Sequence, residues 1–446
     1  MRKEKVHITT LGCPKNQVDS EVLAAQLIAN GYFLADSAED ADIAVINTCG
    51  FIEAAKRESI DTILKVAQQK ESGRLKKLVV TGCMVERYKK ELGKDMHEVD
   101  AFFGNLALRN GSVSDGSELI KVLREFHVEY KYEMLGDRVL STPPHYAYLK
   151  ISEGCDNPCS FCAIPLMRGK HASKPIEQII HEAELLARKG VKEIIVVGQD
   201  TTYYGLDIYR KRELAKLLQR LNKVKGVEWI RLMYAYPAKF PEEVLDVIAD
   251  SDKICKYIDI PIQHVSDNVL KSMRRGIARR KTEELLYKVR ARIPDIAIRS
   301  TVIVGYPAEG ENEFNELLQF VKDFRFDRLG AFTYSAEDGT AASILGDPVS
   351  QDEKERRHAA IMEAQRGIIS ELNEKEVGKR LTVLVDKKVD DDSSPMVNNY
   401  AGRTSHDAPE IDLEVQVTSE NDLTLGSFVE VNVDDAYEYE LYGTAN

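Results

Sequence analysis

Three cysteines, Cys155, Cys159 and Cys162, stand in the run EGCDNPCSFCAIP. Their C-x3-C-x2-C spacing suits three corners of a cubane 4Fe–4S cluster, whereas ordinary electron-transfer clusters take four cysteines and leave no iron open. A missing fourth ligand leaves one iron free for chemistry. The other use of such thiolates is a structural zinc site, which needs a fourth Cys or His at short range to close its tetrahedron. His171, nine residues beyond Cys162, is the nearest candidate, and the paired C-x2-C spacing of zinc sites is not what this run shows.

A second trio comes from the first part of the chain. Cys13, Cys49 and Cys83 each end a short apolar run, KVHITTLGC, DIAVINTCG and KKLVVTGC. Helix-period stretches follow these runs: QVDSEVLAAQLIANG, FIEAAKRESIDTILKVAQQ and MVERYKKELG. Strands alternating with helices predict βαβ units and an open parallel sheet over residues 1–124. The carboxyl ends of such strands form the ligand crevice. Three thiolates at three such ends should converge, and Gly12, Gly50 and Gly82 beside them would let the backbone approach a bulky group. A second three-ligand cluster with its own open iron is the expectation. Cys255, in DKICKYIDI, belongs to neither trio and reads as a core residue.

Three further segments must position these groups. Residues 125–144 have weak periodicity, end in Pro143 and Pro144, and read as a linker. Residues 145–370 hold six strand patterns, HYAYLKIS, KEIIVVGQD, VEWIRLMYAYP, KYIDIPIQH, DIAIRSTVIVG and RLGAFTYSA, with amphipathic helices between them. Six parallel strands fall short of a closed eight-stranded barrel, so a partial, laterally open (β/α)6 barrel is expected, with chemistry at the strands' C-terminal ends. The first strand leads into Cys155, Cys159 and Cys162. The second ends in Gly198, Gln199 and Asp200, the fourth at Gln263 and His264, and the fifth runs through Thr301 to Gly305. Residues 374–446 alternate apolar and polar positions with period two, which predicts a small five-stranded antiparallel barrel.

Together these motifs resemble known families. The CxxxCxxC run, with Phe161 before its third cysteine, looks like the radical S-adenosylmethionine (SAM) superfamily, and the tail resembles the TRAM module, an OB-like barrel. LGCPKNQVDSE, INTCGFI, TGCM, LKISEGCDNPCSFCAIPLMRGK and GRTSHDAPEID resemble the methylthiotransferase family, nearest its branch that acts on an aspartate of ribosomal protein S12. The resemblance implies two 4Fe–4S clusters and two roles for SAM. On Cys155, Cys159 and Cys162, SAM is cleaved to a radical that takes hydrogen from the aspartate β-carbon, whose C–H bond no general base activates. On Cys13, Cys49 and Cys83, sulfur is presented to the carbon radical, and a second SAM gives the methyl group. It also implies SAM contacts at Phe161, Gly198, Gln199 and Asp200, and an external low-potential electron donor. One departure stands in the tail, where Leu413 follows APEID in place of the branch's usual glycine.

Length, charge and composition narrow the field. The 446 residues allow two to four domains. MRKEKVHITTLGC passes from charge straight into a strand pattern, so no secretory signal is expected. No apolar stretch approaches the ~18–20 residues a membrane helix needs, and seven cysteines, an odd count, suit reduced thiolates in a cytoplasmic enzyme. The net charge of −12 is concentrated in residues 376–446, with 5 Lys and Arg against 16 Asp and Glu. A tRNA-gripping module should be basic, so this tail favours a basic protein substrate over the tRNA adenosine that sibling enzymes modify. APEID adds acid near the expected substrate-facing loop. An iron–sulfur carrier without chemistry of its own would leave the six-stranded core unexplained.

Overall fold

The computed structural model describes residues 4–108, 111–112, 114, 116–389 and 398–445. Asp390, Asp391 and Asp392, which contribute to the tail's charge, lie outside the described residues. The first unit is a parallel sheet of β1 (Lys5–Thr10), β2 (Phe33–Leu34), β3 (Ile43–Thr48), β4 (Lys77–Gly82) and β5 (Ala101–Phe102), in the order β2-β1-β3-β4-β5. Its helices are α1 (Pro14–Ala29), α2 (Glu53–Glu71), α3 (Cys83–Asp95) and α4 (Glu118–Glu125). Every residue of β3 is buried, as a parallel strand covered on both faces requires. The short edge strands β2 and β5 were not legible as periodic runs, since two residues carry no period.

In the central unit β6 (Tyr146–Lys150) is followed by a small antiparallel pair, β7 (Ser152–Glu153) and β8 (Ala172–Ser173). That pair frames the cysteine loop and the short α5 (Ile164–Arg168). Then come β9 (Glu193–Val197), β10 (Trp229–Leu232), β11 (Ile254–Asp259), β12 (Ala297–Val304) and β13 (Arg328–Thr333). The parallel sheet runs in sequential order from β6 to β13 and does not close, the open barrel expected from six strands. Cys255 lies in its core beside Tyr257 and Met233, as its sequence context suggested. The last unit is a closed barrel of β14 (Arg380–Val389), β15 (Asn398–Arg403), β16 (Glu414–Ser419), β17 (Phe428–Ala436) and β18 (Glu440–Ala445). Its β16–β18 pair is parallel, so the barrel is not wholly antiparallel as the alternation suggested. Among the described residues no helix is long and apolar enough to cross a membrane.

The stretch read as a linker is a packed strap. Phe126 and Tyr130 enter the core of the first sheet. Arg138 is buried and ion-pairs with Glu21 of α1 and Glu182 of the helix Ile176–Arg188, and its guanidinium also donates to the Tyr148 carbonyl. The strap therefore clamps the first unit to the second. Period counting misses it, because its order comes from contacts to other elements.

The barrel docks through ion pairs, and here one expectation is corrected. Asp407 is only 1 % exposed and accepts from Arg328 at 2.9 Å. Asp412 accepts from the Tyr257 hydroxyl at 2.8 Å and pairs with Arg299 at 3.4 Å. Of the three carboxylates around APEID, Glu410 stays exposed, whereas Asp407 and Asp412 are spent on the floor of the central unit, since Arg299 and Arg328 must be neutralised once buried. These two are not presented to a partner. Leu413, the departure from the branch pattern, is buried at the start of β16.

Candidate active site

The register of the first sheet gathers the first trio. Thr10 pairs with Asn47, and Thr48 with Gly82, so β1, β3 and β4 end level with one another. Cys13 then caps α1, Cys49 follows β3, and Cys83 opens α3. Gly12 has φ +88°, and a Cβ there would lie 2.7 Å from the Cys49 Cβ; one at Gly50 would lie 2.6 Å from the Met84 Cα. These glycines let the strand ends approach each other. Asn16 ties the ends together, donating to the carbonyls of Leu11 at 2.9 Å and Thr48 at 3.0 Å, while its Oδ1 faces the Cys83 sulfur at 3.6 Å.

The thiols of this trio differ. Burial pushes Cys13 upward, but the charges of Lys15 and Arg168 and the backbone N–H groups opening α1 outweigh it and lower the pKa. Burial raises Cys49, and pushes Cys83 up to about 12. A metal taking these two thiols would have to expel their protons.

The second trio lies on the loop between β7 and α5. Asn157 donates to the Cys155 sulfur from both its backbone N–H and its Nδ2, each at 3.4 Å. Its Nδ2 also reaches Asp200 at 2.8 Å. Arg275 Nη1 donates to the Cys159 sulfur at 3.3 Å, and the Tyr236 hydroxyl lies 3.6 Å from the same atom. Burial pushes Cys155 up to about 11 and Cys162 to about 12. Donors aimed at sulfur are what thiolates bound to iron use to spread their charge.

The remaining expected contacts fall in two groups. Phe161 packs among Val269, Met273, Tyr306 and Tyr334 and so anchors the cysteine loop. Gly198, Gln199 and Asp200 lie beyond β9 at the mouth. A Cβ on Gly198 would sit 2.8 Å from the Ser152 hydroxyl. Gln199 Nε2 donates to Glu153 at 3.2 Å, and its buried Oε1 has no partner among the described residues. Asp200 accepts from the backbone N–H groups of Thr202 and Tyr203 and the Thr202 hydroxyl, so it shapes the turn and orients Asn157.

The two trios face each other. Cys83 packs against Ala163 and Met167, and Ala163 directly follows Cys162. Arg168, at the end of α5, crosses the junction: it hydrogen-bonds Asn16 and pairs with Glu153 at 2.7 Å and Asp19 at 3.3 Å. Lys150 completes a buried quartet of two cations and two carboxylates, pairing with Asp19 and, at 2.8 Å, with Glu153. Among the described residues no group of three or more His, Cys, Asp or Glu is arranged around a single metal ion. In a cubane each iron takes its own thiolate, so the sulfurs stand around a body rather than a point. Asn16, Asn157, Arg168, Tyr236 and Arg275 carry this geometry without having been singled out. Asn16 and Arg168 stood inside the LGCPKNQ and PLMRGK motifs, whereas nothing near Tyr236 or Arg275 in sequence pointed to sulfur.

Comparisons with known proteins follow the same division. Residues 5–104 match the uncharacterized protein family UPF0004, residues 149–321 the radical SAM superfamily, and residues 377–445 the TRAM domain. Over 445 residues the chain is 50% identical to the ribosomal protein uS12 methylthiotransferase RimO of Cytophaga hutchinsonii, covering 99% of this chain and 98% of that protein. Its namesake in Chloroherpeton thalassium is 47% identical over 99% of both chains, and that of Phocaeicola vulgatus 46% over 100% of both. Among solved structures, the radical S-adenosylmethionine methyltransferase TsrM from Kitasatospora setae, with cobalamin and a 4Fe–4S cluster bound, has a TM-score of 0.55 at 13% identity, covering 89% of this chain and 80% of that one. The cobalamin-dependent radical enzyme OxsB has a TM-score of 0.50 at 15% identity, covering 81% of this chain and 56% of that one. These two likenesses concern the fold alone.

Proposed function

The chain belongs to the uS12 methylthiotransferase family of radical-SAM enzymes, and we propose that it adds a methylthio group to the β-carbon of an aspartate in ribosomal protein uS12 through two facing iron–sulfur sites. The observation that carries this reading is the junction itself, where Cys83 of one trio packs against the residue after Cys162 of the other. Two sites in contact let sulfur meet a carbon radical before it is quenched.

The residues fit the groups the family implies. Cys155, Cys159 and Cys162 would hold the SAM-cleaving 4Fe–4S cluster, and Cys13, Cys49 and Cys83 a second one. With SAM bound, the first supplies one-electron cleavage and hydrogen abstraction, and the second supplies sulfur. Asn157 and Arg275 steady the charge on Cys155 and Cys159, Asp200 holds Asn157 in place, and Phe161 pins the loop from behind. Gln199, with its unpartnered buried oxygen, is the group best placed to accept from the amino group of SAM. Asn16 and Arg168 hold the two trios in register. The electron comes from an external low-potential donor.

The choice of a protein over tRNA rests on the relatives' names and on charge. With Asp407 and Asp412 consumed internally, and Glu414, Asp422, Glu430 and Glu438 paired at the surface with Lys387, Lys388, Arg380 and Arg366, the argument is carried by Glu410, Glu420, Asp434 and Asp435, which are exposed and without an ion pair among the described residues. They would repel phosphates and attract a basic ribosomal protein. All seven cysteines are free, which suits a reducing cytoplasm.

The test is anaerobic turnover of the reconstituted enzyme with SAM, sulfide and a low-potential reductant, with uS12 and bulk tRNA in separate reactions. A gain of about 46 Da, one SCH3 for one hydrogen, is expected on uS12. Gain on tRNA alone would overturn the substrate assignment and keep the chemistry.

A further inference from the structure

Among the described residues, Lys15 is a buried cation of this junction with no ion pair or hydrogen bond; the charge set against it is the Cys13 thiolate, which a bound cluster would claim. Its neighbours are matched: Lys150 and Arg168 by Asp19 and Glu153, and Arg275 by the Pro261 carbonyl and the Cys159 sulfur. Lys15 is only 7% exposed. Its ammonium stands 3.2 Å from the centroid of the Tyr234 ring, and no hydrogen bond or ion pair to a described residue holds it. An ammonium has three donors to satisfy, and the ring face satisfies none of them fully. The position makes the charge costlier still, because Lys15 lies in the first turn of α1, at the positive end of the helix dipole. Its Nζ is not fully enclosed, so an anion arriving from outside can reach it.

The place fixes which anion. Tyr234 follows β10 at the catalytic end of the open barrel, in a left-handed conformation with φ +57°. It is pinned there: its N–H donates to Asp259 at 3.1 Å and its carbonyl accepts from the Thr201 N–H at 3.0 Å, next to Asp200. Strained, over-determined residues of this kind collect at ligand sites. Lys15 thus reaches from the Cys13 strand end across to Tyr234, at the C-terminal end of the barrel strands. Resting on the reaction proposed above, we infer that Lys15 receives the side-chain carboxylate of the substrate aspartate. That carboxylate is one bond from the β-carbon, so gripping it places the C–H bond between the two sites. A neutral side chain offers this ammonium a hydrogen bond but no opposite charge, which makes Lys15 a specificity residue as well as a binding one.

The experiment compares reconstituted wild type, Lys15→Met and Lys15→Arg on full-length uS12 carrying either its target aspartate or asparagine there. Methylthio gain, 5′-deoxyadenosine and iron content are measured together. Wild type should favour aspartate. Lys15→Met should lose about 30-fold or more in kcat/KM on aspartate, as when a buried charge pair loses one partner, and should change little on asparagine, so that the preference collapses. Lys15→Arg should recover part of it. Iron content should stay at the wild-type value. An unchanged aspartate preference in Lys15→Met would overturn the inference, and so would loss of iron, which would make Lys15 the counter-ion of the Cys13 site. Failure of the wild type itself to modify uS12 would instead refute the parent reading.

Discussion

Removing one charge from the buried quartet should loosen the junction between the two cysteine sites. Lys150, Asp19, Glu153 and Arg168 all have side chains no more than 5% exposed, and their charges cancel. Lys150→Met leaves one cation against two carboxylates. Breaking a buried pair in this way costs about 3–5 kcal/mol. If that cost falls on the docking of α1 against β6 and α5, hydrogen exchange in α1 and β6 should accelerate by roughly 10²- to 5 × 10³-fold. The double variant Lys150→Met with Asp19→Asn restores neutrality and should recover at least about 1 kcal/mol. The pH dependence gives an independent check. Burial drives the Glu153 carboxyl up, but Arg168 and Lys150 outweigh it and hold the group well below the ordinary carboxylate range. A carboxyl depressed in the folded state contributes stability that is fully present above its unfolded pKa and is lost as pH falls from there through its folded pKa. Wild-type protection should therefore decline from about pH 4.5 toward about 2, and in Lys150→Met, where the folded carboxyl is less depressed, the pH-dependent loss should be smaller and should end at a higher pH. Exchange mass spectrometry across a pH series measures both effects. Equal protection in the single and double variants would refute the charge-balance argument.

Other outcomes follow from the same geometry. Alanine at Cys155, Cys159 or Cys162 should abolish SAM cleavage, while alanine at Cys13, Cys49 or Cys83 should keep 5′-deoxyadenosine formation and stop sulfur insertion; one shared phenotype would undo the division of labour. Gly12→Ala places a methyl group 2.7 Å from the Cys49 Cβ at positive φ, so it should cost the first trio its iron while leaving SAM cleavage intact, as read by iron analysis and spectroscopy. Asp407→Ala strands the buried guanidinium of Arg328 and should destabilise docking of the C-terminal barrel by about 3–5 kcal/mol. Limited proteolysis between the helix Gln351–Glu374 and β14 would detect this, and resistance equal to wild type would argue that Asp407 faces a partner after all.

How much was legible depended on whether a signal was local. The strands before Cys13, Cys49 and Cys83, the six strands of the open barrel and the five-stranded tail each show their own hydrophobic period, so sequence alone separated three units and placed both cysteine trios at strand ends. The 125–144 strap has no such period, and its order depends on Arg138 meeting Glu21 and Glu182. The acidity of the tail could be counted, but not which acids face outward. Asp407 and Asp412 are neutralised by arginines that lie far from them in the chain.

The sequence by itself determined the chemistry available, because ligand type and short-range spacing are covalent facts: C-x3-C-x2-C fixes three thiolates on one loop whatever surrounds it. Only the tertiary structure decided that the two trios adjoin through Cys83 and Ala163, that Arg275 serves the Cys159 sulfur, and that Lys15 is set against the Tyr234 ring without an ion pair. Those relations join residues distant in the chain. They are set by sheet register and by the balancing of buried charges, which act only once the units pack together.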